Sequence, residues 1–228
     1  MRRRGAVTAG PPVFDARLGF YLRADSDDLG NYKNARMHRK LPVSGRTVLD
    51  LGANIGAVAY FMLKQGAARV VAVEPDPDNL VVLRLNLNGC VEAGQAVIVP
   101  AAVAAETGLT ATLWKNQGLN KGMHSLVKRR GRTAVNVTTV ALTDLLETYQ
   151  PEAVKIDIEG FEYVILGLDH SLIWTEYVKA LSIEWHHNDA RQKMDWPVYH
   201  QALLNQDFSV IHAPRAGGWS SVGLYERP

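Results

Sequence analysis

The chain has 228 residues, 47% of them hydrophobic and 21% charged, with 19 Gly and 10 Pro. That composition excludes a disordered, collagen-like or disulfide-stapled protein, and the single cysteine, Cys90, allows neither an intramolecular disulfide nor a Cys-based zinc site. The net charge of +2 is too small to argue for nucleic acid by itself, and no apolar run approaches the roughly 20 residues that span a bilayer, so no membrane partner is expected.

Residues 1–13 read as a tail, with Arg2–Arg4, Pro11 and Pro12 and no periodicity. No apolar segment follows the basic start, so a secretory leader is not expected and a reducing, cytoplasmic setting fits. Residues 14–46 are polar and mixed, a lead-in with a short helix around Asp27–His38. From Thr47 the pattern sharpens. Val48–Gly52 predicts a short buried strand ending in a tight turn, and Ile55–Gln65 a helix closed by Gly66. Arg69–Glu74 is a second strand. Pro77–Asn88 is a second helix, with proline in its first turn. Ala96–Pro100 is a third strand. The alternation then breaks into two Thr- and Val-rich strands, Leu109–Lys115 and Ala134–Val140, joined by a long loop. A short helix over Ala141–Tyr149 follows, then a strand over Ala153–Ile158, a helix over Glu162–Leu168, a strand over Tyr177–Trp185 and a helix over Trp196–Asn205. Phe208–His212 and Ser220–Glu226 close the chain as paired strands. Strands alternating with helices predict a doubly wound α/β sheet with right-handed crossovers. One domain is expected over residues 47–228, interrupted by a β-hairpin and loop insertion at about 106–141 between strands three and four.

The segment Val48-Leu49-Asp50-Leu51-Gly52-Ala53-Asn54-Ile55-Gly56 is the best specified. A strand delivers the chain to small residues that let backbone approach a ligand, and the next helix presents free N–H groups to an anion. Asp50 adds a negative charge where a ligand ammonium could sit. A zwitterionic, amino-acid-like ligand fits this pairing better than a pyrophosphate does. The dinucleotide fingerprint has glycine at the middle position, where Asn54 stands, and that speaks against NAD. Glu74 ends the second strand, where a carboxylate can accept both ribose hydroxyls. Pro75 shapes the turn beneath a nucleoside, and Ala101 and Ala102 leave a flat slot for adenine.

These residues resemble the S-adenosylmethionine-dependent methyltransferases of the doubly wound class, over roughly Thr47–Trp185. The resemblance implies a Rossmann-like class I sheet of seven strands whose last, Ser220–Glu226, is antiparallel and inserted by a hairpin from Phe208–His212. It also implies S-adenosylmethionine as cofactor, held by Asp50, Gly52, Ala53, Asn54, Gly56, Glu74, Pro75, Ala102 and Asp157.

The fourth strand carries Val154-Lys155-Ile156-Asp157-Ile158-Glu159-Gly160-Phe161-Glu162. Strand carboxyl ends face the ligand crevice in open α/β sheets, which sets Asp157 and Glu159 near the reacting end. Glu162 reads as favourable charge at a helix N-terminus. Together with the glycine turn and Glu74, this segment is similar to the FkbM methyltransferases, whose association is mainly with O-methylation of sugars and natural products. Alternation places Glu184 and His186 on one face of the fifth strand. Candidate catalytic groups are therefore Asp157, Glu159, Glu184 and His186, with His124 and His187 as further bases. A divalent metal on Asp157, Glu184 and a histidine is conceivable, but no ligand spacing is diagnostic and a metal is not favoured. Between Trp114 and Thr133 lie Lys115, Lys121, Lys128, Arg129, Arg130 and Arg132 without one acid. This 115–132 loop, with Lys121, His124, Ser125, Arg129 and Arg130 as contacts, is expected to recruit a small-molecule, sugar or nucleotide acceptor, and nucleic acid is an alternative. Two further readings remain at this point. One is a ribose 2′-O-methyltransferase acting on RNA, with Asp157 and Glu184 as its acids and Lys33 or Lys40 as a lysine. The other is a non-catalytic nucleoside-binding protein. Trp185 and Trp219 are candidate pocket aromatics. Oligomeric state is not readable.

Overall fold

The computed structural model describes residues 10–128, 130–168, 177–187, 190–213 and 220–228. Arg2–Arg4, Arg129, Trp174 and Trp219 lie outside them. The described part opens with an antiparallel hairpin, β1 (Pro12–Asp15) and β2 (Phe20–Arg23). A helix, α1 (Asp28–Asn34), runs on into a 3₁₀ turn over Ala35–His38. Then come β3 (Thr47–Leu51), α2 (Ala57–Lys64), β4 (Arg69–Val73), α3 (Pro77–Glu92) and β5 (Ala96–Val99). Next come β6 (Ala102–Ala104), β7 (Thr110–Lys115) and β8 (Thr133–Ala141). The core resumes with α4 (Leu142–Tyr149), β9 (Ala153–Ile156), α5 (Glu162–Leu168), β10 (Ala180–His186) and α6 (Ala190–Leu204). Strands β11 (Ser209–His212) and β12 (Ser220–Glu226) finish it.

Seven strands form the main sheet in the order β11-β12-β10-β9-β3-β4-β5, with β12 antiparallel to both its neighbours. This is the seven-stranded arrangement that the resemblance implied. Strand alternation divides the core into two layers. Leu49, Leu51, Val71, Val73, Val154, Ile156, Leu181 and Ile183 point to the side covered by α4, α5 and α6. Val48, Val70, Ala72, Ala153 and Ala180 point to the side covered by α2 and α3. On that second side the same periodicity also places three polar residues. Asp50 lies in register with Lys155, and Lys155 with Ser182. All three are at most 1% exposed. A buried polar row thus crosses three central strands of an otherwise apolar sheet.

Several elements differ from the sequence expectation. Ala102–Ala104 is a strand, paired in parallel with β8, and the expected hairpin is part of a three-stranded sheet of order β6-β8-β7. The β1–β2 hairpin had no alternating pattern to announce it. Helix α6 begins at Ala190, ahead of the expected Trp196, and carries Pro197 within it. Proline is at home in a first turn, which is why the sequence placed the start there.

The lead-in also differs. Phe20, Tyr32 and Ala35 are buried and pack on Ile55, Ala57 and Val82, at the start of α2 and on α3. The Arg23 guanidinium donates to both Asp28 oxygens at 2.9 Å and to Asn79 Oδ1 at 2.9 Å, out of reach of water. From Pro12 onward the segment expected to be a tail and lead-in is packed structure against the carboxyl end of the sheet.

Candidate functional site

The strands β3, β4 and β9 end together, and the turns that follow them line one cavity. Gly52 leaves β3 at φ +81°, and a Cβ there would lie 1.9 Å from the Asp157 carbonyl oxygen. Only glycine allows the two strand ends to approach this closely. Asn54 follows in the left-handed region at φ +52°, and its N–H donates to Glu74 Oε2 at 2.8 Å. Gly56, at φ +86°, starts α2 and packs against Leu83.

Glu74 lies at the end of β4, 5% exposed. Its Oε1 accepts from Asp76 N at 2.9 Å and from Asn79 Nδ2 at 3.4 Å. Burial drives its pKa up to about 7, against the pull of the Asp76 and Asn54 N–H groups. Pro75, Ala101, Ala102, Val103 and Leu113 continue the wall on this side, an apolar slot beside a carboxylate.

The opposite end is crowded with charge. Lys155 Nζ sits 3.0 Å from Asp50 Oδ1 and 3.5 Å from Asp157 Oδ2, and donates to Gly52 O at 2.7 Å. Desolvation opposes the lysine's charge, but Asp50 and Asp157 outweigh it and raise its pKa. Burial alone would lift Asp157, yet Lys155, His186 and His38 bring it below the usual carboxylate value. Burial and the neighbouring Asp157 charge push Glu184 up to about 7, and Ser220 donates to its Oε1 at 2.6 Å. His186 Nδ1 is 2.9 Å from Glu162 Oε1, while its Nε2 faces Glu159 at 3.6 Å, Glu184 at 3.9 Å and Asp157 at 4.0 Å. Burial disfavours its charge, and Glu162 and Glu159 overcome that, so its pKa stands well above the ordinary value. His38 reaches the same cluster from the lead-in. Its Nδ1 lies 2.7 Å from Ser182 Oγ, the end of the buried polar row. Burial and the Lys155 charge push its pKa down to about 4, so it is neutral at neutral pH.

The 115–132 loop roofs the cavity with Asn120, Gly122, His124, Ser125 and Leu126. Lys115 Nζ pairs with Asp76 at 2.5 Å and Asp78 at 2.6 Å. His124 Nδ1 accepts from Asn116 N at 3.0 Å, and its Nε2 lies 3.4 Å from Asp76 Oδ2. Ser125 Oγ donates to Glu159 O at 2.8 Å, and Asp27 N donates to Leu119 O at 2.9 Å. Beneath this roof two buried amide atoms, Asn31 Nδ2 and Asn54 Oδ1, have no hydrogen-bond partner among the described residues. Leaving such atoms unpaired costs about 1–3 kcal/mol each, so they point to a polar ligand.

The model of the methyltransferase FkbM domain matches residues 50–210 of this sequence. The chain belongs to the FkbM methyltransferase family. Methyltransferase FkbM from Methylobacillus flagellatus superposes with a TM-score of 0.54 at 18% identity, over 79% of this chain and 43% of that one. A protein in the NADB-Rossmann superfamily from Streptococcus agalactiae gives 0.50 at 14% identity, over 86% of this chain and 68% of that one. Both share the fold. A 60-residue stretch is 43% identical to protein arginine N-methyltransferase 6 of Xenopus laevis, 26% of this chain and 18% of that one. The chain thus spans under a fifth of that relative and under half of the Methylobacillus flagellatus structure.

An FkbM methyltransferase needs a nucleoside cofactor, and the residues present fit S-adenosylmethionine. A backbone cradle at Gly52, a strand-end carboxylate at Glu74, an apolar slot and two unpaired amides face one space. Of the expected cofactor residues, Gly52, Ala53, Asn54, Glu74, Pro75, Ala102 and Asp157 line the cavity. Asp50 and Gly56 do not. Asp50 is fully buried behind Lys155, whose ammonium takes the place expected for a ligand's. Glu159 and Glu184 line the cavity with Asp157, whereas His186 does not and stands behind them. Glu162 is not a simple helix-end charge. It accepts from Ile158 N and Gly160 N as well as holding His186, which locks the loop after β9.

The expected acceptor contacts fare differently. His124 and Ser125 face the cavity but are tied to Asp76 and Glu159 inside the protein. Lys121 is buried, Arg130 is exposed and off the cavity wall, and Arg129 lies outside the described residues. Lys33 and Lys40 are exposed and do not line the cavity either. Trp185 is fully buried in the core layer beneath α5 and α6, away from the pocket. Lys155, His38 and Asn31 are among the cavity residues that escaped the sequence reading. Lysine in an apolar strand was a usable signal, since a buried charge demands a partner on the same face.

Proposed function

We propose that this chain transfers the methyl group of S-adenosylmethionine to a hydroxyl oxygen of a small acceptor of sugar, nucleotide or natural-product type. The supporting observation is the continuity of one cavity from Glu74 and the apolar slot to Asp157, Glu184 and His38. Bound S-adenosylmethionine supplies an activated methyl group on a sulfonium. The protein's part is to orient the acceptor and remove a proton. Orientation is worth up to about 7–11 kcal/mol, and a general base adds about 10²–10⁴-fold.

Glu184 is the base of matched strength. Its pKa near 7 lets the ionised form take a hydroxyl proton near neutral pH, whereas Asp157 is held too acidic and His186 stays protonated. Asp157, fixed by Lys155, presents a carboxylate to the acceptor hydroxyl or to the cationic methyl donor. Three acids at this end disfavour an acceptor whose phosphate lies beside the reacting oxygen. The ribose-in-RNA alternative leaned on the basic loop, but Lys115 is paired with Asp76 and Asp78, Lys128 lies over the Trp114 ring and Arg132 donates to Trp114 O. No observation favours that alternative.

Titration calorimetry with S-adenosylmethionine and with NAD tests the cofactor half. Binding of the first alone is expected, and binding of NAD alone would overturn it. Transfer of a labelled methyl group across hydroxyl acceptors tests the rest. Glu184→Gln should retain cofactor binding and lose transfer, while transfer confined to amines would overturn the oxygen assignment.

A further inference from the structure

Asn31 stands on α1, ahead of the residues that match the family model, yet its side chain reaches the cavity wall. A Cβ on Gly122 of the roof would lie 3.0 Å from Asn54 Nδ2, 3.1 Å from Asn120 Oδ1 and 3.4 Å from Asn31 Nδ2. Three side-chain amides from three segments therefore converge on one glycine. Asn120 Oδ1 is satisfied by Gly122 N at 2.9 Å. Asn31 Nδ2 and Asn54 Oδ1 are buried and unpaired, one a donor and the other an acceptor.

We propose that Asn31 and Asn54 hold the amino-acid end of the cofactor, with Asn31 donating to its carboxylate and Asn54 accepting from its ammonium. The inference rests on the S-adenosylmethionine reading above. Each part of that molecule then has a wall of its own. The ribose hydroxyls have Glu74, and adenine has the slot of Ala101, Ala102 and Leu113. The reacting sulfur has the Asp157 end. What remains is the wall made by Ile55, Ala57 and Val58 at the start of α2, which lines the same cavity as Asn31. That helix end carries free N–H groups and partial positive charge, which suit a carboxylate. A zwitterion needs a donor and an acceptor side by side, and the two unpaired amide atoms are that pair. A fully apolar occupant would leave both unsatisfied.

The test is titration calorimetry on the full chain with S-adenosylhomocysteine and with 5′-methylthioadenosine. Both have a neutral sulfur, and only the first carries the amino-acid end. Asn31→Ala and Asn54→Gly should each weaken S-adenosylhomocysteine by about tenfold or more while 5′-methylthioadenosine stays within about twofold. Glycine at 54 tolerates the left-handed backbone, so that variant removes the amide without adding strain. Parallel loss of both compounds would overturn the proposal, because the amides would then serve the nucleoside or the fold. Unchanged affinity for S-adenosylhomocysteine would overturn it too. If the unaltered protein bound neither compound, nor S-adenosylmethionine, the cofactor reading itself would fall and this assignment with it.

Discussion

Lys155 Nζ lies 3.0 Å from Asp50 Oδ1, and neither side chain is more than 1% exposed. The pair joins β3 to β9 at the floor of the cavity, and the same ammonium reaches Gly52 O and Asp157. Removing one partner from such a pair leaves a buried charge uncompensated, at a cost of about 3–5 kcal/mol. Lys155→Met should lose that much in urea unfolding, and adding Asp50→Asn should recover a large part. A single variant as stable as the unaltered chain would show that the pair is not held as described.

Cofactor affinity should rise with pH through about 7, the value to which burial lifts Glu74. Only the ionised carboxylate accepts from both ribose hydroxyls. One proton lost at pH 7 makes binding at pH 6 about tenfold weaker than on the plateau. The stability of the ligand-free protein should move the other way. A carboxyl raised in the folded state stabilises it fully below the unfolded value of about 4.5, and this is lost as pH rises through about 7. Glu74→Gln should flatten the binding profile and make the fall of stability with pH shallower, the remainder belonging to Glu184 and His186, and calorimetry and urea unfolding at pH 5 to 8 check both.

Gly52 and Gly89 make a matched contrast. Alanine at Gly52 meets the Asp157 carbonyl at 1.9 Å and a backbone at φ +81°. Gly52→Ala should destabilise by well over about 1 kcal/mol and displace Asp157. Gly89 lies within α3 with nothing in the way of a Cβ. Gly89→Ala should stabilise by about 0.5–1 kcal/mol. Thermal melts of the two variants decide, and equal effects would refute the close approach at Gly52.

His186 owes its raised pKa to Glu162 and Glu159 against the cost of burial. A histidine raised in the folded state stabilises it fully below the unfolded value of about 6.5, and this fades as pH climbs through the folded value. In Glu162→Gln, NMR titration should find His186 shifted toward 6.5. The stability lost relative to the unaltered chain should be greater at pH 6 than at pH 9. A pH-independent difference would mean that Glu162 acts only through the Ile158 and Gly160 N–H groups.

The strand ends were legible because period-two burial fixes which side chains leave the sheet at the crevice. Gly52, Glu74, Asp157 and Glu184 follow from that alone. Pairings across long stretches of chain were not legible. His38 and Ser182 are separated by 144 positions, and nothing local in either segment announces the other. The same holds for Arg23 with Asn79, and for the roof contacts of His124 with Asp76 and Ser125 with Glu159. Asp50 misled because its partner is a lysine of this chain, where the sequence suggested a ligand. Among the described residues no helix is long and apolar enough to cross a membrane.

The His38–Ser182 contact also orders events during synthesis. His38 leaves the ribosome 144 positions ahead of Ser182. Until β10 has been made and docked beside β9, the imidazole has no hydroxyl to orient it, and Glu184 is not yet part of the wall. The end of the cavity at Glu74 also waits for late residues, because Gly52 packs on the Asp157 carbonyl, β3 pairs with β9 and Ser125 Oγ donates to Glu159 O. A nascent chain would therefore complete both ends of the cavity only after β9 and β10 have been made.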